Sequence, residues 1–182
     1  MLIVFGGLPG TGKTALARAA AQHFGALYLR IDTIEQAIRS EAHGTDVGAD
    51  GYVVAYRVAA DNLRLGRFVV ADSVNPLRIT RDAWLSVAEK ASVEIVEVEV
   101  ICSNIAEHRR RVEGRRSDID GLKLPAWQDV MSREYEAWHR PHIVIDTASR
   151  TVDDSVAELL PRLSASFNKS QKLSRNLPSS AT

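Results

Sequence analysis

The stretch Gly7-Leu-Pro-Gly-Thr-Gly-Lys-Thr14 decides the fold. It fits G-x-x-x-x-G-K-[ST], the phosphate-binding loop, at every fixed position. Before it, Met1-Leu-Ile-Val-Phe5 is an apolar run of one buried strand's length. After it, Lys13 to Phe24 places Leu16, Ala17, Ala20 and Phe24 at helical spacing, and Gly25 is a natural stop. Strand, glycine turn and helix N-terminus are the context that this motif's physics requires. The glycines let backbone N–H groups turn inward around a polyphosphate. The helix dipole adds partial positive charge, Lys13 adds a full one, and Thr14 offers Mg²⁺ a hydroxyl. Gly7, Pro9, Gly10, Thr11, Gly12, Lys13, Thr14 and Ala15 are therefore the candidate nucleotide-binding residues.

Outward from the loop, strands and helices alternate. Ala26 to Ile31, Arg67 to Ala71, Val93 to Cys102 and His142 to Asp146 read as four further strands. Between them, helices are predicted over Ile34–Ser40, Tyr52–Gly66, Thr80–Ala91, Asn104–Glu113 and Pro125–Trp138. Val53, Tyr56, Ala60 and Leu63 form the expected inner face of the second of these. Glu41 to Gly51 is loop-like. A last helix starts at Thr151, and Pro161 should end or kink it. Five strand–helix repeats imply an α/β fold, an open and mostly parallel sheet with helices on both faces. Glu97 and Glu99 share a face of the fourth strand, which should be wet at its start because buried carboxylates are costly. Residues 1–163 are expected to form the domain, with 164–182 as a disordered tail of Ser, Lys, Asn and Pro.

Bulk properties narrow the function. The 23 basic residues balance 23 acidic ones, so bulk charge gives no case for nonspecific nucleic-acid binding. The single cysteine, Cys102, excludes a disulfide framework and a thiolate metal cluster. The five histidines show no ligand spacing. No apolar run approaches the ~18 residues of a membrane span, and Met1–Phe5 lacks the basic flank of a signal peptide. A cytoplasmic protein, monomer or homodimer, is expected.

Ligands of such sheets bind beyond the carboxyl ends of the strands. Asp32 follows the second strand, where a carboxylate can take a proton from an acceptor hydroxyl; a plain helix cap is its other role. Asp72 ends the third strand and can support Mg²⁺ or substrate, or simply begin a turn. Five arginines fall in the eight positions Arg109 to Arg116. Arg111 and Arg115, one turn apart, could reach one phosphate, with Arg116 as the next candidate; a solvated helix face is the alternative. The loop Gly114–Leu124 gives this segment the look of a lid over about 104–126. Arg78 and Arg81 either grip an anionic acceptor or are surface charges.

Taken together, Gly7–Thr14, Leu29-Arg-Ile-Asp-Thr33, Ala71-Asp-Ser-Val-Asn-Pro76, His108–Ile119 and Pro125-Ala-Trp127 resemble the small P-loop kinases of the AAA-family "predicted kinase" type. These are relatives of gluconate kinase, chloramphenicol phosphotransferase, zeta toxin and the polynucleotide 5′-kinase domain. The resemblance implies a P-loop NTPase three-layer α/β/α fold with strand order 2-3-1-4-5, ATP with Mg²⁺, and an arginine-rich lid. It implies transfer of the γ-phosphate to a hydroxyl, with Asp32 as general base. Residues 34–60 and 73–82 match no acceptor signature. A small hydroxylated acceptor is expected. The rivals are a polynucleotide or RNA 5′-hydroxyl kinase using Arg30, Arg39, Arg78 and Arg81, and a nucleotide-dependent switch or NTPase.

Overall fold

A computed structural model describes residues 1–41 and 47–175, with side chains as far as residue 168. Five strands, β1 (Leu2–Gly6), β2 (Leu27–Arg30), β3 (Val69–Asp72), β4 (Ile95–Ile101) and β5 (Ile143–Asp146), form one sheet. Its order is β2-β3-β1-β4-β5 and every pairing is parallel. The helices are α1 (Lys13–Phe24), α2 (Ile31–Glu41), α3 (Asp50–Arg64), α4 (Arg78–Lys90), α5 (Ile105–Gly114), α6 (Trp127–Met131) and α7 (Val152–Arg175).

Alternation along β1 divides the interior into two layers. Ile3 and Phe5 face α1 and α7, where Leu16, Ala20, Leu159 and Leu163 complete one core. Leu2 and Val4 face the opposite side, where Ala55, Ala59, Leu63 and Trp84 from α3 and α4 complete the other. A strand covered on both faces reads as an unbroken apolar run, which is why β1 shows no polar alternation.

Four expectations are corrected by this packing. The inner face of α3 is Gly51, Ala55, Ala59 and Leu63, with Tyr56 packed beside it; Leu63 and Tyr56 match the expected face, but Val53 is exposed, as are Val54 and Val58. Small residues let α3 lie close to its neighbours, so side-chain size overrides hydrophobicity here. α2 begins at Ile31 directly after β2, so Asp32 lies inside its first turn and is not a cap. The helix expected from Thr80 starts earlier, at Arg78, with Leu77 as its N-cap. The helix expected over 125–138 stops at Met131.

Residues after Met131 run instead as irregular chain across β4. Their side chains meet the two strand carboxylates. Arg140 holds Glu97 through Nε at 3.0 Å and Nη2 at 2.7 Å. Glu99 accepts from the Tyr135 hydroxyl at 3.0 Å and lies 3.1 Å from the His142 ring. That face is therefore covered, and Glu97 is only 5% exposed. Paired and hydrogen-bonded, a carboxylate can be buried.

α7 does not end at Pro161 but continues through it to Arg175, into residues expected to form the tail. A proline inside a helix costs about 3 kcal/mol. Ser155, Leu159 and Leu163 are buried at four-residue spacing, and Phe167 packs on Phe68. At about 1.5–3 kcal/mol per buried large side chain, continuing the helix outweighs the break. Residues 42–46, within the expected loop 41–51, and residues 176–182 lie outside the described residues.

Candidate active site

The loop Gly7–Gly12 leaves β1 at the carboxyl edge of the sheet and enters α1 with Gly12 as N-cap. No side chain caps that helix, so its first amides face the loop's concavity and favour an anion. The loop is pinned at several points. Gly7 N–H donates to the Val74 carbonyl at 3.0 Å, and the Thr11 hydroxyl to that of Leu8 at 2.9 Å. The Thr147 hydroxyl donates to the Thr11 carbonyl at 2.8 Å. Gly10 has φ +87°, and a Cβ there would lie 2.5 Å from Val112 Cγ2 on α5. Only glycine combines that backbone with so close a neighbour.

Lys13, at the start of α1, is 7% exposed. Burial pulls its pKa down, and the carboxylates of Asp72 and Asp32 oppose that pull. Asp72 is buried at the end of β3 and accepts from the Tyr28 hydroxyl at 2.7 Å. Thr14 and Asp72 supply hard oxygen donors, the kind Mg²⁺ takes together with substrate phosphates. Among the described residues no cluster of three or more His, Cys, Asp or Glu could hold a metal by itself. The donor set thus fits an ion carried in with the nucleotide.

Beside Lys13 opens a cavity of about 480 Å³. Asp32, Glu35 and Arg39 line it from α2, Tyr52 from α3, and Ser73 from the turn after β3. Arg115 and the segment Gly121–Pro125 line the opposite side. Burial, reinforced by neighbouring Asp32, pushes the Glu35 carboxyl above its ordinary range. A second cavity of about 260 Å³ is bounded by Gly10, Gly12, Arg111, Thr147 and Arg150. Arg111 is fixed there. It donates to Thr147 Oγ1 at 2.7 Å, to the Thr147 carbonyl at 2.9 Å and to Glu107 at 2.6 Å.

Arg111 and Arg115 therefore do not share one phosphate-facing stripe. Arg115 is the C-cap of α5 with extended backbone, which turns it out of the helical register. Each lines its own cavity. Arg116 is exposed and lines neither. Arg78 is exposed, with its side chain on Asp82, and also lines neither. Arg81 is fully buried, donating to the Glu136 and Ala137 carbonyls at 3.0 and 3.2 Å, with its guanidinium 4.8 Å from the Trp138 ring centroid. It anchors the irregular chain and holds no ligand.

Two residues at this edge, both within the stretch His108–Ile119, are given no individual role by the sequence. Asp118 accepts from Arg30 at 2.8 Å and pairs with Arg18, tying the loop after α5 to β2 and α1. Those arginines hold the Asp118 carboxyl down at about 2. His108, buried in α5, reaches the Pro9 carbonyl at 2.8 Å. Glu35 and Arg39 had a legible signal, since they follow Asp32 at helical spacing on one face.

Fold and site define the class: a P-loop nucleotide-binding domain of the small-kinase architecture. The chain belongs to the AAA domain family, which matches residues 2–134. Among solved structures, a gluconokinase from Sinorhizobium meliloti 1021 is similar at 20% identity and a TM-score of 0.63, over 92% of this chain and 95% of that one. An APS kinase from Mycobacterium tuberculosis, in complex with AMPPNP and APS, is similar at 19% identity and a TM-score of 0.63, over 90% and 96%. Kti12 from Chaetomium thermophilum, in complex with ADP-AlF3, is similar at 24% identity and a TM-score of 0.65, over 90% and 97%. At these identities the likeness is one of fold. No curated protein matches the sequence. No helix among the described residues is long and apolar enough to cross a membrane.

Proposed function

We propose that the protein is an ATP-dependent kinase that phosphorylates a hydroxyl of a small-molecule acceptor. One observation carries this reading: Lys13 of the phosphate loop and Asp32 of α2 line the same cavity. A phosphoryl donor and a proton acceptor thus share a single space. The nucleoside fits the second cavity, against Arg111 and the chain after β5, on the other side of Gly10 and Gly12. Loop amides and Lys13 hold the β- and γ-phosphates. Mg²⁺, held by Thr14 with Asp72 in support, neutralises phosphate charge when bound.

In the transfer, the acceptor oxygen forms a bond to the γ-phosphorus. The bond from that phosphorus to the β–γ bridging oxygen breaks, and ADP leaves. The Asp32 carboxylate takes the hydroxyl proton. Arg115 faces the transferring group across the cavity, where charge spreads over the equatorial oxygens. The segment about 104–126 is the lid in this scheme, and Asp118 is its latch.

The polynucleotide alternative needs a basic groove beside Asp32, which Arg30, Arg39, Arg78 and Arg81 could supply. Arg81 is buried under Trp138, Arg30 is buried against Asp118, and Arg78 is on the outer surface. Of these four only Arg39 lines the cavity, whose other cations are Lys13, Arg115, Lys123 and Arg133. ADP release measured over a panel of hydroxylated small molecules tests the reading. Stimulation by one member, with a phosphorylated product of matching mass, supports it. ATP turnover indifferent to every acceptor points to a nucleotide switch.

A further inference from the structure

The end of the large cavity beyond Asp32 is cationic. Asp32, Gln36 and Arg39 lie at helical spacing on one face of α2, and all three line the cavity. Arg39 is held in place by the Gln36 Oε1, which accepts from its Nη1 at 2.9 Å. Lys123 and Arg133 also line the cavity. Five cationic side chains, Lys13, Arg39, Arg115, Lys123 and Arg133, thus meet only two carboxylates, Asp32 and Glu35. A nucleotide's phosphates answer Lys13 and Arg115. Arg39, Lys123 and Arg133 make no ion pair with a carboxylate among the described residues. Glu35, the carboxylate nearest that group in sequence, feels the charges of Arg39 and Arg133, but burial, reinforced by Asp32, outweighs them and opposes its ionisation.

The cavity is also roofed. Gly121 has φ +70°, and a Cβ there would lie 2.9 Å from Gln36 Nε2. Gly121 therefore lies against α2 at Gln36, between Asp32 and Arg39. Those two residues are seven apart on the helix, a rise of about 10 Å.

Building on the kinase reading, we infer that the acceptor is a small hydroxylated acid. Its reacting hydroxyl meets Asp32, and a carboxylate, sulfate or phosphate group at its other end is held by Arg39, Lys123 and Arg133. Arginine's fork of donors suits each of these anions. Such an acceptor matches the spacing between Asp32 and Arg39 and supplies the negative charge that the cavity lacks.

Matched acceptor pairs test this in the full chain with ATP and Mg²⁺. Glycerate is compared with glycerol, a hexonate with its hexitol, and a sugar phosphate with the free sugar, by ADP release and product mass. The acid of at least one pair is expected to have a kcat/KM at least 100-fold above its neutral partner. Arg39→Met and Arg133→Met should each raise that acid's KM about 10- to 100-fold, as loss of a charge-assisted hydrogen bond does. The KM for ATP should move less than two-fold. Whether the preferred acid is a carboxylate, sulfate or phosphate ester distinguishes the sources of the anion. Neutral partners used as well as the acids, or phosphorylation of 5′-hydroxyl oligonucleotides alone, would overturn the inference and leave a kinase. ADP release that no acceptor raises would overturn the kinase reading, and this inference with it.

Discussion

The His108 imidazole on α5 lies 2.8 Å from the carbonyl oxygen of Pro9 in the phosphate loop. The Trp127 ring packs edge-on against it at 5.2 Å. One side chain thus couples the arginine-bearing helix to the phosphate loop. His108→Ala leaves the Pro9 carbonyl without that partner, a cost of about 1–3 kcal/mol. ATP affinity should fall about tenfold or more, as read by titration with a fluorescent nucleotide. Unchanged affinity in a folded variant would show that the contact does not shape the loop.

Lys13 is the one full positive charge inside the loop, and it is buried between Asp72 and Asp32. Lys13→Ala removes that charge and leaves two carboxylates facing the nucleotide. Turnover should drop by about 10²–10³, the effect of losing one preorganised electrostatic contact. Steady-state ADP release at saturating ATP checks this. A variant with more than a tenth of wild-type turnover would contradict the placement of the γ-phosphate.

Asp118 fastens the loop after α5 to Arg30 and Arg18. Its folded pKa of about 2 is below the ordinary 3.8, so the latch is fully formed above about pH 4 and is lost as pH falls towards 2. The carboxylate is about half exposed, which limits its contribution to about 1 kcal/mol or less. Between pH 5 and 8 the latch should not titrate. Asp118→Asn should speed amide exchange in residues 115–122 at pH 7 while α1 keeps its protection, as followed by mass spectrometry. Equal exchange in both proteins would remove the latch from the account.

The Arg140–Glu97 pair makes a stability prediction remote from the chemistry. Glu97 is 5% exposed and receives two hydrogen bonds from one guanidinium. Arg140→Met leaves a buried carboxylate uncompensated and should cost about 3–5 kcal/mol in urea unfolding. Adding Glu97→Gln should recover part of that loss. A single variant within 1 kcal/mol of wild type would show that the face is solvated.

The donor half of the site was legible because phosphate binding imposes local rules. A glycine turn, a lysine and a threonine must fall at fixed spacing between strand and helix, and Gly7–Thr14 does so. The places of Asp32 and Asp72 were legible for a related reason: Asp72 ends β3 and Asp32 follows β2 in the first turn of α2, both at the sheet's carboxyl edge. Arg81 was not, because an arginine's partners can be carbonyls of distant chain, here Glu136 and Ala137. The cover over Glu97 and Glu99 was hidden likewise, since Trp138, Tyr135 and Met131 share a helical period that the chain does not adopt. Leu63 and Tyr56 of α3 were placed correctly, but the rest of its packing face is Gly51, Ala55 and Ala59, which a hydrophobic stripe cannot reveal. The far end of the cavity joins α2, the chain after α5 and Arg133, three segments that only the fold brings together.

The measurement that bears most directly on the proposed mechanism is single-turnover phosphoryl transfer by Asp32→Asn, with an acceptor that stimulates the wild-type protein. As general base, Asp32 should account for about 10²–10⁴ in the rate of transfer. ATP affinity should be nearly unchanged, since Lys13 and the loop amides remain. A variant that transfers phosphate at the wild-type rate would contradict the account, because the proton would then be leaving the acceptor by another route.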